Sequence, residues 1–211
     1  MHLIKIGAEA RIELVNWGGI TCIRKSRIPK KYRDPGLDQI LRSRRTKQEA
    51  EMIHTAKSLG VNAPYLYYVN PDTAEIIMQR VHGFHLKDGE TGKGANLQGL
   101  YFKLGESCAR LHSGGIVHGD LTTKNVIVSG DDDLFLIDYG LSFFSDRVED
   151  KAEDLHLLKQ ALRSSSPSRS ATVLFNSSIQ GYESIQGEKK VREILEQIAE
   201  IEERGRYARV D

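Results

Sequence analysis

Between His118 and Gly140 the chain reads HGDLTTKNVIVSGDDDLFLIDYG, and that order of polar and apolar residues ties separated chemistry to one short hairpin. Two apolar runs, Val126–Val128 and Leu134–Ile137, flank a turn at Gly130 and predict two short strands. A hairpin returns to its starting point. Asn125, at the start of the first strand, and Asp138, at the end of the second, therefore fall at the same end of the sheet. Asp120 sits five residues upstream on the loop facing that end. Phosphoryl transfer needs this kind of set: oxygen ligands for a metal on the phosphates, an acceptor for the nucleophile's proton, and cations against the spreading charge. Mg²⁺ takes a few carboxylate or carbonyl oxygens and keeps its remaining waters, which suits Asn125 and Asp138. Ordinary turn and strand-end acids would not explain why the two motifs come paired in this order.

Upstream, Ile12–Asn16 and Ile20–Lys25 read as strands joined at Gly18-Gly19, and residues 37–59 read as a helix ended by Gly60. Tyr65–Val69 and Glu75–Val81 read as two more strands around Asn70-Pro71-Asp72. Ile23 and Lys25 share one strand face. Lys25 is placed to reach phosphates and Ile23 to cover a base. On the helix, Glu49 shares its stripe with Met52, Ile53 and Ala56, so it is the expected partner of Lys25, whereas Glu51 is rotated away. A turn with one glycine, Ile6, Gly7 and Ala8 within IGAEA, is the candidate phosphate cover. The backbone from Gln79 to Val81, behind Met78, is the candidate adenine rest.

Downstream, residues 83–96 read as a crossover. Leu97, Leu100, Leu104, Cys108 and Leu111 mark a buried helical stripe ended by Gly114-Gly115. Helices are expected over Lys151–Leu162 and Lys189–Glu203, with the serine-rich stretch 163–170 as a loop by composition. The fold class is α+β: a minimal two-lobed arrangement, residues 1–81 forming an antiparallel sheet plus one helix and residues 82–211 mainly helical.

Composition excludes several classes. Cys22 and Cys108 form neither a disulfide framework nor a metal-binding spacing, which points to a reducing, cytoplasmic setting. No apolar run approaches the ~18 residues of a membrane helix, and Lys5, Glu9 and Arg11 interrupt any signal-peptide core. Net charge is +1, yet ten Lys/Arg against two acids fall between Arg24 and Lys47, which suggests a phosphate-bearing ligand.

HGDLTTKN followed by IDYG resembles the catalytic and metal loops of protein kinases. The resemblance implies Asp120 as base, Asn125 and Asp138 as metal ligands for Mg-ATP, Lys124 as part of the catalytic set, His118 as a brace and Gly140 as a hinge. HGD stands where HRD is usual, and the short segment after Gly140 lacks an APE motif, so a conventional activation loop does not fit. IGAEA, KSRIPKKYRDP, RRTKQEA, HGDLTTKNVIV, IDYGLS, EDKAEDL and the RGRY tail together resemble the KEOPS-complex kinase subunits, the smallest of the RIO-related atypical protein kinases. IDYG sets the chain apart from RIO-type kinases proper. Membership implies ATPase and Ser/Thr autokinase activity, a Kae-type threonylcarbamoyl transferase subunit among KEOPS partners, and service to tRNA modification. It also implies that Asp154 anchors the catalytic loop and that the serine-rich stretch is partly helical. Arg204, Arg206 and Arg209 around Tyr207 suit either a helix terminus or RNA. The competing functions are a small-alcohol phosphotransferase, which also uses HGD, and a nucleotide-binding scaffold without turnover.

Overall fold

The computed structural model describes all residues except 1, 8, 90–95, 131, 166–167 and 208–211, and no side chains for 168–169 and 205–207. Strands β1 (His2–Ile6), β2 (Ala10–Trp17) and β3 (Ile20–Arg27) form a meander, with β2 and β3 closed by the Gly18-Gly19 turn between the facing pair Trp17 and Ile20. Helix α1 (Pro35–Ser58) starts at Asp34, whose carboxylate accepts from Leu37 N at 3.0 Å, with proline at the first helical position. It ends as Gly60 N bonds Lys57 O and Val61 N bonds Ala56 O, both 3.0 Å, satisfying carbonyls of the last turn. Strands β4 (Leu66–Asn70) and β5 (Glu75–Gln79) complete an antiparallel sheet of order β1-β2-β3-β5-β4.

The C-terminal part opens with β6 (Phe84–His85) and the short α2 (Leu86–Gly89), so part of the expected crossover is structured. Helix α3 (Leu97–Ser113) buries Leu100, Leu104, Cys108 and Leu111. After β7 (Ile116–Val117), β8 (Val126–Ser129) pairs with β9 (Asp133–Leu136) as the predicted hairpin, and β6 joins its other edge. β10 (Phe143–Phe144) pairs with β7, and α4 (Val148–Ser165), α5 (Ser168–Gln186) and α6 (Glu188–Tyr207) finish the lobe.

Helix α4, which runs to Ser165, and helix α5, which starts at Ser168, correct the loop expected over 163–165 and 168–170, and α5 fills 171–186, which carry no sequence-based assignment. Its serines turn their hydroxyls back onto the helix: Ser177 Oγ donates to Val173 O at 3.1 Å and Ser178 Oγ to Leu174 O at 3.2 Å. It lies so close to α3 that a Cβ on Gly105 would fall 1.8 Å from Ser178 O, and one on Gly181 1.9 Å from Phe102 O. Backbones at that distance bury Tyr101, Leu104 and Tyr182 in one core with Leu155 and Leu158 of α4. Among the described residues no helix is long and apolar enough to cross a membrane.

Candidate active site

A cleft of about 730 Å³ opens between the sheet and the helical lobe. Ile23 and Lys25 of β3, Glu49 of α1 and Met78 and Gln79 at the end of β5 line one side, with Val81 just beyond. Asp120, Lys124, Asn125 and Asp138 line the other.

The strongest contacts gather on Lys25. Its Nζ lies 2.5 Å from Glu49 Oε1 and 2.6 Å from Asp138 Oδ1, across 24 and 113 residues of sequence respectively. Strand alternation puts Lys25 on the cleft face, and the α1 stripe puts Glu49 beneath it. Burial alone would lower the Lys25 ammonium, yet Glu49 and Asp138 more than offset it and hold the group above its ordinary range. Burial likewise pushes the Asp138 carboxyl up, and Lys25 with the Gly140 N–H brings it below the usual carboxylate range. Asp138 has φ +63, a left-handed conformation uncommon for a residue with a side chain, and a local strain of the kind that gathers at functional sites.

On the opposite wall, Asn125 Nδ2 donates to Asp120 O and to Asp120 Oδ2, both at 2.8 Å. Both bonds use the amide nitrogen, which leaves the Asn125 carbonyl oxygen as an acceptor. One carboxylate and one amide oxygen form a hard, partial donor set of the kind Mg²⁺ completes with phosphate oxygens and water. Among the described residues no group of three or more His, Cys, Asp or Glu forms a cage.

The catalytic loop is held from beneath. Asp154 of α4 accepts from His118 N at 2.5 Å and Gly119 N at 2.8 Å, and lies 3.2 Å from His112 Nε2. His118 is fully buried, its Nε2 3.2 Å from Ile137 O. Burial holds its imidazole below the ordinary value against the pull of nearby carboxylates, so the ring is neutral and braces the loop. Gly119 explains HGD: at φ +78, a Cβ there would lie 2.4 Å from Leu141 O. Ser142 closes the frame, donating through Oγ to His118 O and accepting from Gln48 Nε2 on α1, each at 2.7 Å.

Other expectations fare differently. Ile6 and Gly7 do not line the cleft; Ile4 and Lys5 of β1 and Ile12 of β2 do. Ile6 is exposed, and Gly7 N is spent on Ala10 O at 2.9 Å inside the turn, so it is not a free phosphate cap. Ala8 lies outside the described residues, as do Arg209 and the side chains of Arg206 and Tyr207. Arg204 pairs with Glu149 at 3.0 Å. Gln79 N donates to Tyr65 O at 2.7 Å and its side chain accepts from Tyr65 N at 3.2 Å, which pins the end of β5 beside the cleft.

Arg27 escapes the sequence reading. It is buried, its guanidinium donating to Glu49 Oε2 at 2.6 Å while lying 4.0 Å from Glu9. The alternation that selects Ile23 and Lys25 also selects Arg27, so the signal was present in the strand.

The RIO domain family model matches residues 25–156, a span that includes IDYG, so that motif does not set the chain outside the family. The "KEOPS complex subunit Bud32" of Pyrococcus abyssi is 41% identical over 215 residues, covering 98% of this chain and 96% of that protein. A "Probable bifunctional tRNA threonylcarbamoyladenosine biosynthesis protein" of Methanothermobacter thermautotrophicus is 43% identical over 201 residues; the match takes in 95% of this chain but only 36% of that protein. The chain thus spans about a third of the bifunctional relative. Among solved structures, the Rio2 kinase–ADP/Mg²⁺–phosphoaspartate complex from Chaetomium thermophilum superposes with a TM-score of 0.65 at 15% identity, covering 96% of this chain and 72% of that one, a likeness of fold. The interlobe cleft, the family match and the near full-length relative agree: this chain belongs to the RIO-domain family, in its Bud32 branch.

Proposed function

We propose that the chain binds Mg-ATP between an N-lobe (residues 1–81) and a C-lobe (residues 82–211) and moves the γ-phosphoryl group, to water as an ATPase and to serine or threonine as an autokinase. One observation carries the reading: Lys25 Nζ stands between Glu49 and Asp138 at hydrogen-bond distance, opposite a joined Asp120–Asn125 pair, across one cleft. The lobe boundary is supported by the sheet, which ends at Gln79, and by β6, which pairs instead with β8.

In this reading Lys25 orients the phosphates, Glu49 fixes Lys25, and Asp120 accepts the proton of the attacking oxygen. Lys124 sits at the rim to balance charge on the transferred group. Mg²⁺ held by Asp138 and the Asn125 carbonyl would neutralise phosphate oxygens. Ile23 and Met78 supply the apolar walls for the base, and the backbone from Gln79 to Val81 its polar edge.

The relatives' names support service to threonylcarbamoyladenosine formation in tRNA as a KEOPS subunit; a Kae-type transferase as the neighbouring subunit and a cytoplasmic setting belong to the same proposal. At least six of the ten bases between Arg24 and Lys47 are ion-paired, so tRNA contact falls to others such as Arg44 and Lys47, and to the C-terminal tail. The test is Mg-ATP consumption with and without the transferase subunit and tRNA. Asp120→Asn is expected to slow turnover by roughly 10²–10⁴. An Asp138→Ala protein that consumes ATP normally would remove the metal assignment.

A further inference from the structure

A second pocket, of about 400 Å³, lies beside the nucleotide cleft along the catalytic loop. Thr122, Thr123 and Lys124 of the loop, Gln160 and Ser164 of α4, and Lys87 of α2 line it. Lys87, Thr122 and Lys124 also line the nucleotide cleft, so the two spaces share a wall. Their charges differ. The cleft carries the carboxylates Glu49, Asp88, Asp120 and Asp138, whereas the side pocket carries two ammonium groups, several hydroxyls, an amide and no carboxylate. Among the described residues neither Lys87 nor Lys124 has an ion-pair or hydrogen-bond partner.

We propose that this pocket is an oxyanion site that receives inorganic phosphate as it leaves the nucleotide cleft, an inference that rests on the hydrolytic reading above. In hydrolysis the water oxygen bonds to the γ-phosphorus as the bond to the bridging oxygen breaks. The bridging oxygen leaves with its electron pair on ADP, and the water's proton passes to Asp120 and then to solvent. The products are two anions side by side, facing Asp120 and Asp138. Like charges at that range repel, and the side pocket that shares a wall with the cleft is lined by no acid. Lys124 and Lys87 border both chambers, so a departing phosphate exchanges one set of oxygen contacts for another without losing its cations. The Thr122 hydroxyl rotates to donate to a phosphate oxygen, whereas Ser164 Oγ, which donates to Ala161 O at 2.8 Å, and Gln160 Nε2, 2.6 Å from His156 Nε2, exchange those bonds for phosphate oxygens. The volume is ample, equal to that of about a dozen waters at ~30 Å³ each.

The probe is inorganic phosphate, titrated at constant ionic strength into the full chain, both free and saturated with Mg-ADP. The readout is the amide resonances of Thr123 and Ser164, which line the side pocket and not the cleft. Phosphate is expected to shift both in either state. Ser164→Glu and Ala161→Glu each place a carboxylate in the pocket and should weaken phosphate binding about tenfold or more, by like-charge repulsion across a wet site. Mg-ADP affinity should stay within about twofold in both variants, since neither position lines the cleft. Phosphate that perturbs only cleft residues, or that binds both variants as it binds the parent chain, overturns the proposal. Absence of Mg-ADP binding would instead sink the nucleotide reading, and the titration of the free chain would still decide this one.

Discussion

Glu49→Gln removes one negative charge from between two buried cations, and its cost follows from the arrangement. Glu49 is 1% exposed, Lys25 9% and Arg27 7%. Oε1 accepts from Lys25 at 2.5 Å and Oε2 from Arg27 at 2.6 Å, so neither oxygen is spare. With Asp138, the four side chains sum to zero charge. The glutamine keeps the shape but leaves an excess positive charge in a place water hardly reaches. Breaking one partner of such a buried set costs about 3–5 kcal/mol, against a total stability of roughly 5–15 kcal/mol for a domain. The variant should therefore fold but unfold at a clearly lower urea midpoint with an unchanged slope. Lys25 would be left with Asp138 alone and pulled off the phosphate path. Displacing a positioning group by about 1 Å costs on the order of 10² in turnover. Adding Arg27→Met restores neutrality without restoring the Lys25 brace. The double variant should recover about 1–3 kcal/mol of stability relative to additivity, and no activity. Urea unfolding and single-turnover ATP hydrolysis at a temperature where all variants are folded separate the two effects. A Glu49→Gln protein that loses less than about 1 kcal/mol would refute the reasoning, because Glu49 would then not be carrying the two buried charges.

Asp154→Ala strands three donors, His118 N, Gly119 N and His112 Nε2; a loss of about 3–5 kcal/mol in denaturant melts is expected. Gly119→Arg, which writes the more usual HRD into the loop, should fail: the left-handed backbone alone costs about 1–3 kcal/mol, and the Cβ contact with Leu141 O adds to it, readable as a lowered melting temperature and lost ATP turnover. Glu202 joins α6 to α4 through Lys159 at 2.9 Å and Arg163 at 3.0 Å. Burial pushes its carboxyl up, but those cations bring it below the ordinary glutamate value, so its contribution is full above that value and lost as pH falls through the folded one. Thermal melts of Glu202→Gln should accordingly show a flatter acid limb than those of the parent chain, with the largest difference near neutrality.

The parts of the site that sequence reveals are those whose geometry is local. Asp120, Asn125 and Asp138 fall within 19 consecutive positions, and a short hairpin leaves little freedom in how their ends meet. Lys25 and Glu49 emerge from two periodicities, two on the strand and 3.6 on the helix, each of which names the inward face. Periodicity says nothing, however, about how many cations share one carboxylate, and that number is what makes Arg27 important. It also fails where no face is buried. Every residue of β1 is exposed, so His2–Ile6 carries no alternation to detect, and nothing in its pattern distinguishes Ile4 and Lys5, which line the cleft, from Ile6, which does not. Helix α5 is obscure for the opposite reason. Its buried face is built partly from Ser177, Ser178 and Gly181, residues that suggest loop by composition and become helix-compatible only because α3 lies close enough to need small side chains. Small polar residues are thus read correctly only after the neighbouring backbone is known, whereas a charged pair fixed by two regular elements is readable before it.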